Sequence, residues 1–372
     1  MTVFNPLTVN YHLAALAPDW PGNYWAHWAV FAVVILVFVL GMVMGFIYLE
    51  RRWVGRIQIR LGPNRVGPFG ILQPVADALK ILLKEDIIPA KGDKWVHWWA
   101  PVVAFVPVLM IFAVIPFQDG ALLADLNIGI LYIAAVSSVS VVGVFMAAWA
   151  CNNKFSLIGA MRAVAQIVSY EIPLGLSIIG VVLVAGSLSL NQIVTSQNIP
   201  FILLQPLGFI IFFASACAEM NRTPFDLLEA ESEIVDGYHV EYSGMKFAVF
   251  YLVEYMEALA ISAIITTLFL SGWRGPLLPP FLWFLGKVIL VFMFIVWVRG
   301  TIPRIRVDQL MAFAWKGLLP LSLLNLFITG IEIIALPGGL SWPIIFLNLA
   351  IMVILVLLWS KLSRLGGGRV EV

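Results

Sequence analysis

Apolar residues run for about 20 positions at a time along this chain, and each run is long enough to cross the hydrocarbon of a bilayer as a helix. Such runs fall near 25–49, 97–117, 129–149, 160–186, 201–218, 246–271, 281–300, 317–336 and 341–360. The expected count is about nine, with eight as the alternative. Pro173 blurs the limits of the fourth run, and the last two are divided only by the turn signal Leu336-Pro337-Gly338-Gly339-Leu340. The pattern predicts an all-α integral membrane protein, with residues 1–372 as a single polytopic membrane domain. No inverted repeat or low-complexity stretch interrupts it.

Composition closes off the soluble alternative. Hydrophobic residues make up 62% of the chain and charged ones 12%, with a mean hydropathy of +0.99; a soluble domain carries about twice that charge. The net charge of +1 gives no reason to expect a nucleic-acid partner. Cys151 and Cys217 are too few for an iron–sulfur cluster or a structural zinc, which take about four ligands. His12, His27, His97 and His239 form no i,i+4 pair. Any redox cofactor is therefore expected on a partner. The stretch before Trp25 lacks Lys and Arg, so a secretory signal is not expected.

The basic residues sort to one side. With nine spans, 20 of the 22 Lys and Arg lie in the alternate loops, nine of them between residues 50 and 95; only Arg274 is opposite, and Lys287 is inside a span. The positive-inside rule makes that side cytoplasmic and puts the N-terminus outside.

Two cytoplasmic loops stand out. In the first, Arg60-Leu61-Gly62-Pro63-Asn64-Arg65-Val66-Gly67-Pro68-Phe69-Gly70 is too rich in Gly and Pro for a helix and predicts a fixed turn system. It leads into 71–86, where Ile71, Val75, Leu79 and Leu82 recur at helical spacing with Pro74 near the start, an amphipathic helix lying in the interface plane or docking a partner. The other loop, Glu219 to Tyr242, holds seven carboxylates, among them Asp226, Glu229, Glu231 and Glu233. Asp226, Glu229 and Glu233 share a helical face at i, i+3 and i+7. Thr223 as N-cap and Pro224 at the first helical position predict a helix start there, against the alternative of a solvated acidic loop.

Glu171, Glu254, Glu257, Lys287 and Glu332 fall inside predicted spans, and Glu50, Arg51 and Glu219 sit at inner ends. An acid at mid-membrane costs roughly 2.5–3.5 kcal/mol even on insertion scales. Such acids are neutral, paired, or line a hydrated cavity, and several together offer a proton route. The plainer alternative is that they tie helices together, for example through Lys287.

The segments Glu50-Arg51-Arg52, Arg60 to Pro68, Leu79 to Asp86, Ser169-Tyr170-Glu171 and Arg222 to Lys246 resemble, in that order, the H-type membrane subunits of NADH-quinone oxidoreductases, over about residues 30–320. These are the complex I subunits that join the membrane arm to the peripheral arm. The resemblance implies a component of a proton-translocating oxidoreductase that carries no redox centre, with FMN and iron–sulfur clusters on partner subunits and quinone as substrate. It implies Arg51 and Asp77 as quinone-binding residues. Glu50, Glu171, Glu219, Glu229, Glu231, Glu233 and Glu254 match acids that link quinone chemistry to a proton path, and Glu257 joins that set as an acid many relatives lack. Leu228 replaces a usual proline, and Ser138 stands where some relatives carry glutamate. Expected partners are the other membrane-arm and peripheral-arm subunits, quinone and the lipid bilayer of a bacterial plasma membrane. The alternatives are the equivalent subunit of a membrane-bound hydrogenase, a stand-alone ion or proton transporter, and a structural anchor.

Overall fold

Where the sequence is apolar for long enough, it is helical. The computed structural model describes residues 24–118, 123–227, 237–276, 278–335 and 342–366. Among them run α1 (Tyr24–Ile57), α2 (Gln73–Leu82), α3 (Lys94–Ile111), α4 (Gly129–Ala150), α5 (Lys154–Ala185), α6 (Leu190–Ser196), α7 (Phe201–Leu204), α8 (Pro206–Glu219), α9 (Gly244–Phe269), α10 (Pro280–Thr301), α11 (Val307–Ala335) and α12 (Trp342–Gly366), with no strand among the described residues. Seven of them, α1, α3, α4, α5, α9, α10 and α11, are long and apolar enough to cross a membrane. The apolar stretches of α8 and α12 are shorter, and with them the nine predicted runs are all accounted for.

Prolines explain two departures from regular spans. The fifth predicted run breaks at Gln205 (φ −127°, ψ 63°), because the ring of Pro206 drives the residue before it out of helical geometry. In α11 the turns over Phe313–Leu318 widen to a π-helix. Pro320, one turn on, has no N–H for the Lys316 carbonyl, which accepts from Trp359 Nε1 at 3.2 Å instead.

α9 lies innermost: 67% of its most apolar window is buried, against 22–44% for the other long spans. It packs on α1, α3, α10 and α2. Its two acids, Glu254 and Glu257, line an interior cavity. Its C-terminal carbonyls are capped from outside the helix. Lys287 Nζ donates to the carbonyls of Leu270, Gly272 and Arg274 at 2.7, 2.9 and 2.8 Å, and Gln197 Nε2 donates to those of Thr267 and Leu268 at 2.9 and 3.0 Å. Lys287 is thus a helix cap and not the counter-ion of a membrane acid, because orphan carbonyls at a helix end draw a cation as a carboxylate would. α3 and α4 approach closely at Gly143, where a Cβ would stand 2.7 Å from the Ala104 nitrogen.

α2 forms as predicted, with Pro74 in its first turn. Its predicted apolar stripe faces outward, with Ile71, Val75, Leu79 and Leu82 all exposed. The opposite face, carrying Pro74, Asp77, Ala78 and Ile81, turns toward α1 and α9.

Candidate functional site

The end of α8 builds the centre of the site. Asn221 takes the left-handed conformation (φ +53°), and the Arg222 N–H closes back on the Cys217 carbonyl at 3.2 Å. This αL ending satisfies orphan carbonyls and turns the chain inward. Gln166 Nε2 fixes the next turn by donating to the carbonyls of Ala218 and Phe225, both at 2.8 Å. Residues 223–227 consequently form turns and not the predicted helix start at Thr223-Pro224. The turn delivers Arg222, 4% exposed, into the bundle.

There Arg222 binds two acids from different helices. Nη1 lies 3.2 Å from Glu50 Oε1 on α1, and Nε lies 3.0 Å from Glu254 Oε1 on α9. Its guanidinium also sits 4.5 Å from the centre of the Tyr255 ring. Arg299, in the last turn of α10, makes a second ion pair with Glu50. Two cations and two acids thus share a largely buried site at the edge of solvent, where breaking a pair leaves a charge uncompensated.

Beside this cluster opens a polar cleft of about 750 Å³, lined by Glu50, Arg51, Gln58, Arg60, Thr223, Tyr251, Tyr255 and Arg299 among others. That volume suits a small-molecule headgroup. An apolar cavity of about 230 Å³ runs between α1, α2 and α9, lined by Met44, Ile47, Ala78, Ile81, Ala248, Val249 and Leu252. Arg51 and Tyr251 line both spaces, and Asp77, ion-paired with Arg51 and accepting from Gln73 Nε2 at 2.9 Å, lines the apolar one.

On the other side of Glu254 the interior continues. A cavity of about 40 Å³ is lined by Glu219, Glu254, Glu257, Ser140 and Asn221, and one of about 80 Å³ by Glu171, Glu219, Glu257, Ser137, Ser140 and aliphatic side chains. Each has room for water, since one molecule needs roughly 10–15 Å³ by this measure. Glu219 and Glu257 face both, so the acids form a connected set. Among the described residues no group of three or more His, Cys, Asp or Glu side chains could hold a metal ion.

The sequence profile of a family described as NADH dehydrogenase matches residues 30–330. A Dehalococcoides mccartyi protein, named as the H subunit of NADH-quinone oxidoreductase, is 63% identical over 350 residues, covering 94% of this chain and 99% of that one. Proteins of the same name from Brevibacillus brevis and Bacillus thuringiensis are 49% and 51% identical, over 85% and 82% of this chain and 96% and 95% of theirs. The chain belongs to the family of NADH-quinone oxidoreductase H subunits.

Within that family frame, Glu50, Glu171, Glu219, Glu254 and Glu257 converge as described, and Arg51 and Asp77 pair at the mouth of the apolar cavity. Glu229, Glu231 and Glu233, with Leu228, lie outside the described residues. Ser138 donates to the Ala135 carbonyl at 3.0 Å and does not line the acid cavity; Ser137 and Ser140 of the same helix do. Three participants escape a reading of the sequence: Arg299 as partner of Glu50, Tyr255 with its ring against Arg222, and Tyr251 with its hydroxyl 3.2 Å from that of Tyr255. A basic residue in the last turn of a span is a usable signal for Arg299. Nothing in the pattern singles out two tyrosines among so many aromatic residues.

Outside the spans, burial pushes the Cys151 thiol up to about 11 and the Tyr242 hydroxyl well above the usual phenol range. Tyr242 stacks on His97 with ring centres 4.0 Å apart and closes the base of α3.

Proposed function

We propose that this chain forms the membrane side of a quinone-binding chamber in a proton-translocating NADH-quinone oxidoreductase, and that it passes the charge change of quinone reduction along its buried glutamates. The observation that carries the reading is continuity. From the cleft at Arg51 and Tyr251, the Glu50–Arg222–Glu254 ion cluster leads to the cavities shared by Glu257, Glu219 and Glu171.

Reducing a quinone takes two electrons and two protons. Electrons arriving ahead of protons leave an anionic headgroup, which draws on Arg299 and Arg222. Each cation then holds Glu50 and Glu254 less firmly, and a loosened carboxylate gains affinity for a proton. That proton moves on through Glu257 and Glu219 to Glu171. Driving one charge across 100 mV costs about 2.3 kcal/mol, equal to roughly 1.7 pKa units. A close opposite charge moves a carboxyl by about 1–3 units, a range that includes this value. The apolar cavity admits the isoprenoid tail, with Arg51 and Asp77 at its polar end.

The same reading makes the chain one membrane domain in a bacterial plasma membrane, N-terminus outside and long loops cytoplasmic. Its acidic loop, with Glu229, Glu231 and Glu233, and its basic first loop face the peripheral-arm subunits, which hold the FMN and iron–sulfur clusters.

A photoreactive quinone analogue applied to the assembled complex tests the chamber. Label displaced by excess quinone is expected in residues 44–82 and 245–252. Displaceable label confined to other segments or other subunits would remove this chain from the binding site.

A further inference from the structure

A second polar cluster lies inside the bundle, away from the acids above, and uses none of them. It gathers at the break before α8, where Gln205 (4% exposed) meets Asn325 (7%), Thr329 (3%) and Glu332 (8%) of α11 and Asn348 (9%) of α12. α8 has 14 residues, so Gln205 and Glu219 at its two ends stand about 20 Å apart along the helix axis. Glu332 and Asn348 fall beyond the 30–330 stretch that matches the family.

The cluster closes into a ring. Gln205 Nε2 donates to the Gly180 carbonyl at 3.1 Å and to Thr329 Oγ1 at 3.3 Å. Glu332, one turn on from Thr329, accepts from Asn348 Nδ2 at 3.3 Å, and the same amide donates to the Leu204 carbonyl at 2.7 Å, next to Gln205. Two glycines make room. A Cβ at Gly208 would stand 3.1 Å from Asn325 Nδ2 and 3.5 Å from Gln205 Oε1; one at Gly180 would stand 3.3 Å from Gln205 Oε1 and 3.5 Å from Asn325 Nδ2.

Four atoms of this ring are buried without a hydrogen-bond partner: Gln205 Oε1, Asn325 Nδ2, Glu332 Oε1 and Asn348 Oδ1. Buried polar groups are rarely left so. The four resolve into two needs. Glu332 and Asn348 are already joined through Oε2 and Nδ2, and their other two oxygens are both acceptors, so a proton on the carboxyl supplies the donor that completes an acid–amide ring. Gln205 Oε1 and Asn325 Nδ2 are an acceptor and a donor that face the same two glycines, a pair of needs that one bridging water would meet. Among the described residues, the one side chain that bonds Glu332 is the neutral Asn348 amide, and no cation pairs with it.

We propose that Glu332, Asn348, Gln205 and Asn325 form a second proton-holding site, at the opposite end of α8 from Glu219, occupied by one proton on the Glu332 carboxyl and one water. Glu332 is neutral at rest.

An apolar carbodiimide tests this in the assembled complex in native membranes, because it adds to a protonated carboxyl and not to a carboxylate. Asp308, exposed at the start of the same helix, is the water-facing internal control. Peptide mapping is expected to find the label on Glu332 in large excess over Asp308. Sodium ions should give no protection, and a carboxylic-acid infrared band should be lost in Glu332→Gln. If that variant does not assemble, wild-type labelling still decides. Sodium protection would make this a cation site and overturn the proposal; an unlabelled Glu332 without an acid band would overturn it too.

Discussion

Arg222 holds two acids of separate helices from a position 4% exposed, and its loss has a calculable consequence. In Arg222→Met the shape of the stem is largely kept and the charge is removed. Glu50 retains Arg299, but Glu254, its side chain 15% exposed, loses its ion-pair partner. Stranding one member of a buried pair costs about 3–5 kcal/mol. At 1.4 kcal/mol per tenfold, that is about two to four orders of magnitude in the balance between assembled and unfolded chain. Neutralising the stranded acid removes much of the penalty, so the double variant Arg222→Met with Glu254→Gln should be more stable than the single one. Arg222→Lys should fall between, because one ammonium cannot span both carboxylates as the guanidinium does. The assay is the amount of assembled complex on native gels and its midpoint of thermal inactivation, with quinone reduction as second readout. The double variant should recover assembly but not turnover. A single variant as stable as wild type, or a double variant less stable than the single, would refute the ion-cluster reasoning.

Ala248→Trp fills part of the 230 Å³ apolar cavity; the expected result is a raised KM for long-tailed quinones and little change for a short-tailed analogue, measured by steady-state kinetics of the complex. Gly143→Val thrusts a side chain against the α3 backbone, where even a Cβ would sit 2.7 Å from a nitrogen. Overpacking costs about 1–3 kcal/mol, and thermal inactivation should fall by several degrees while KM holds. Cys151, its thiol pushed from 9.0 to about 11, stays protonated until pH approaches that value. At pH 8 it should therefore alkylate about a hundredfold more slowly than an exposed cysteine, since the thiolate is the reacting species, and speed up as pH rises.

Much of this fold is legible in the sequence because bilayer thickness imposes a length on each apolar run and because backbone polar groups in lipid must bond within their own helix. The break at Gln205 is concealed by its apolar neighbours, although Pro206 announces it. The stripe on α2 can be found from spacing but its direction cannot, since periodicity gives a face but not what the face meets. The acids of α9 are likewise readable as a pair at i, i+3, whereas the bridge from Glu50 through Arg222 to Glu254, and the second pair of Glu50 with Arg299, depend on residues far apart in sequence. Lys287 shows the converse. A cation in a span suggests an acid partner, yet three backbone carbonyls satisfy it, and such partners leave no trace in residue types.

The central claim is that buried glutamates carry the energy of quinone reduction, and the ratio of protons moved to quinone reduced measures it most directly. In sealed vesicles holding complexes with Glu219→Gln or Glu257→Gln, quinone reduction relieved by an uncoupler should persist in part while the proton ratio falls below wild type. An unchanged ratio at full turnover in both variants would contradict the account.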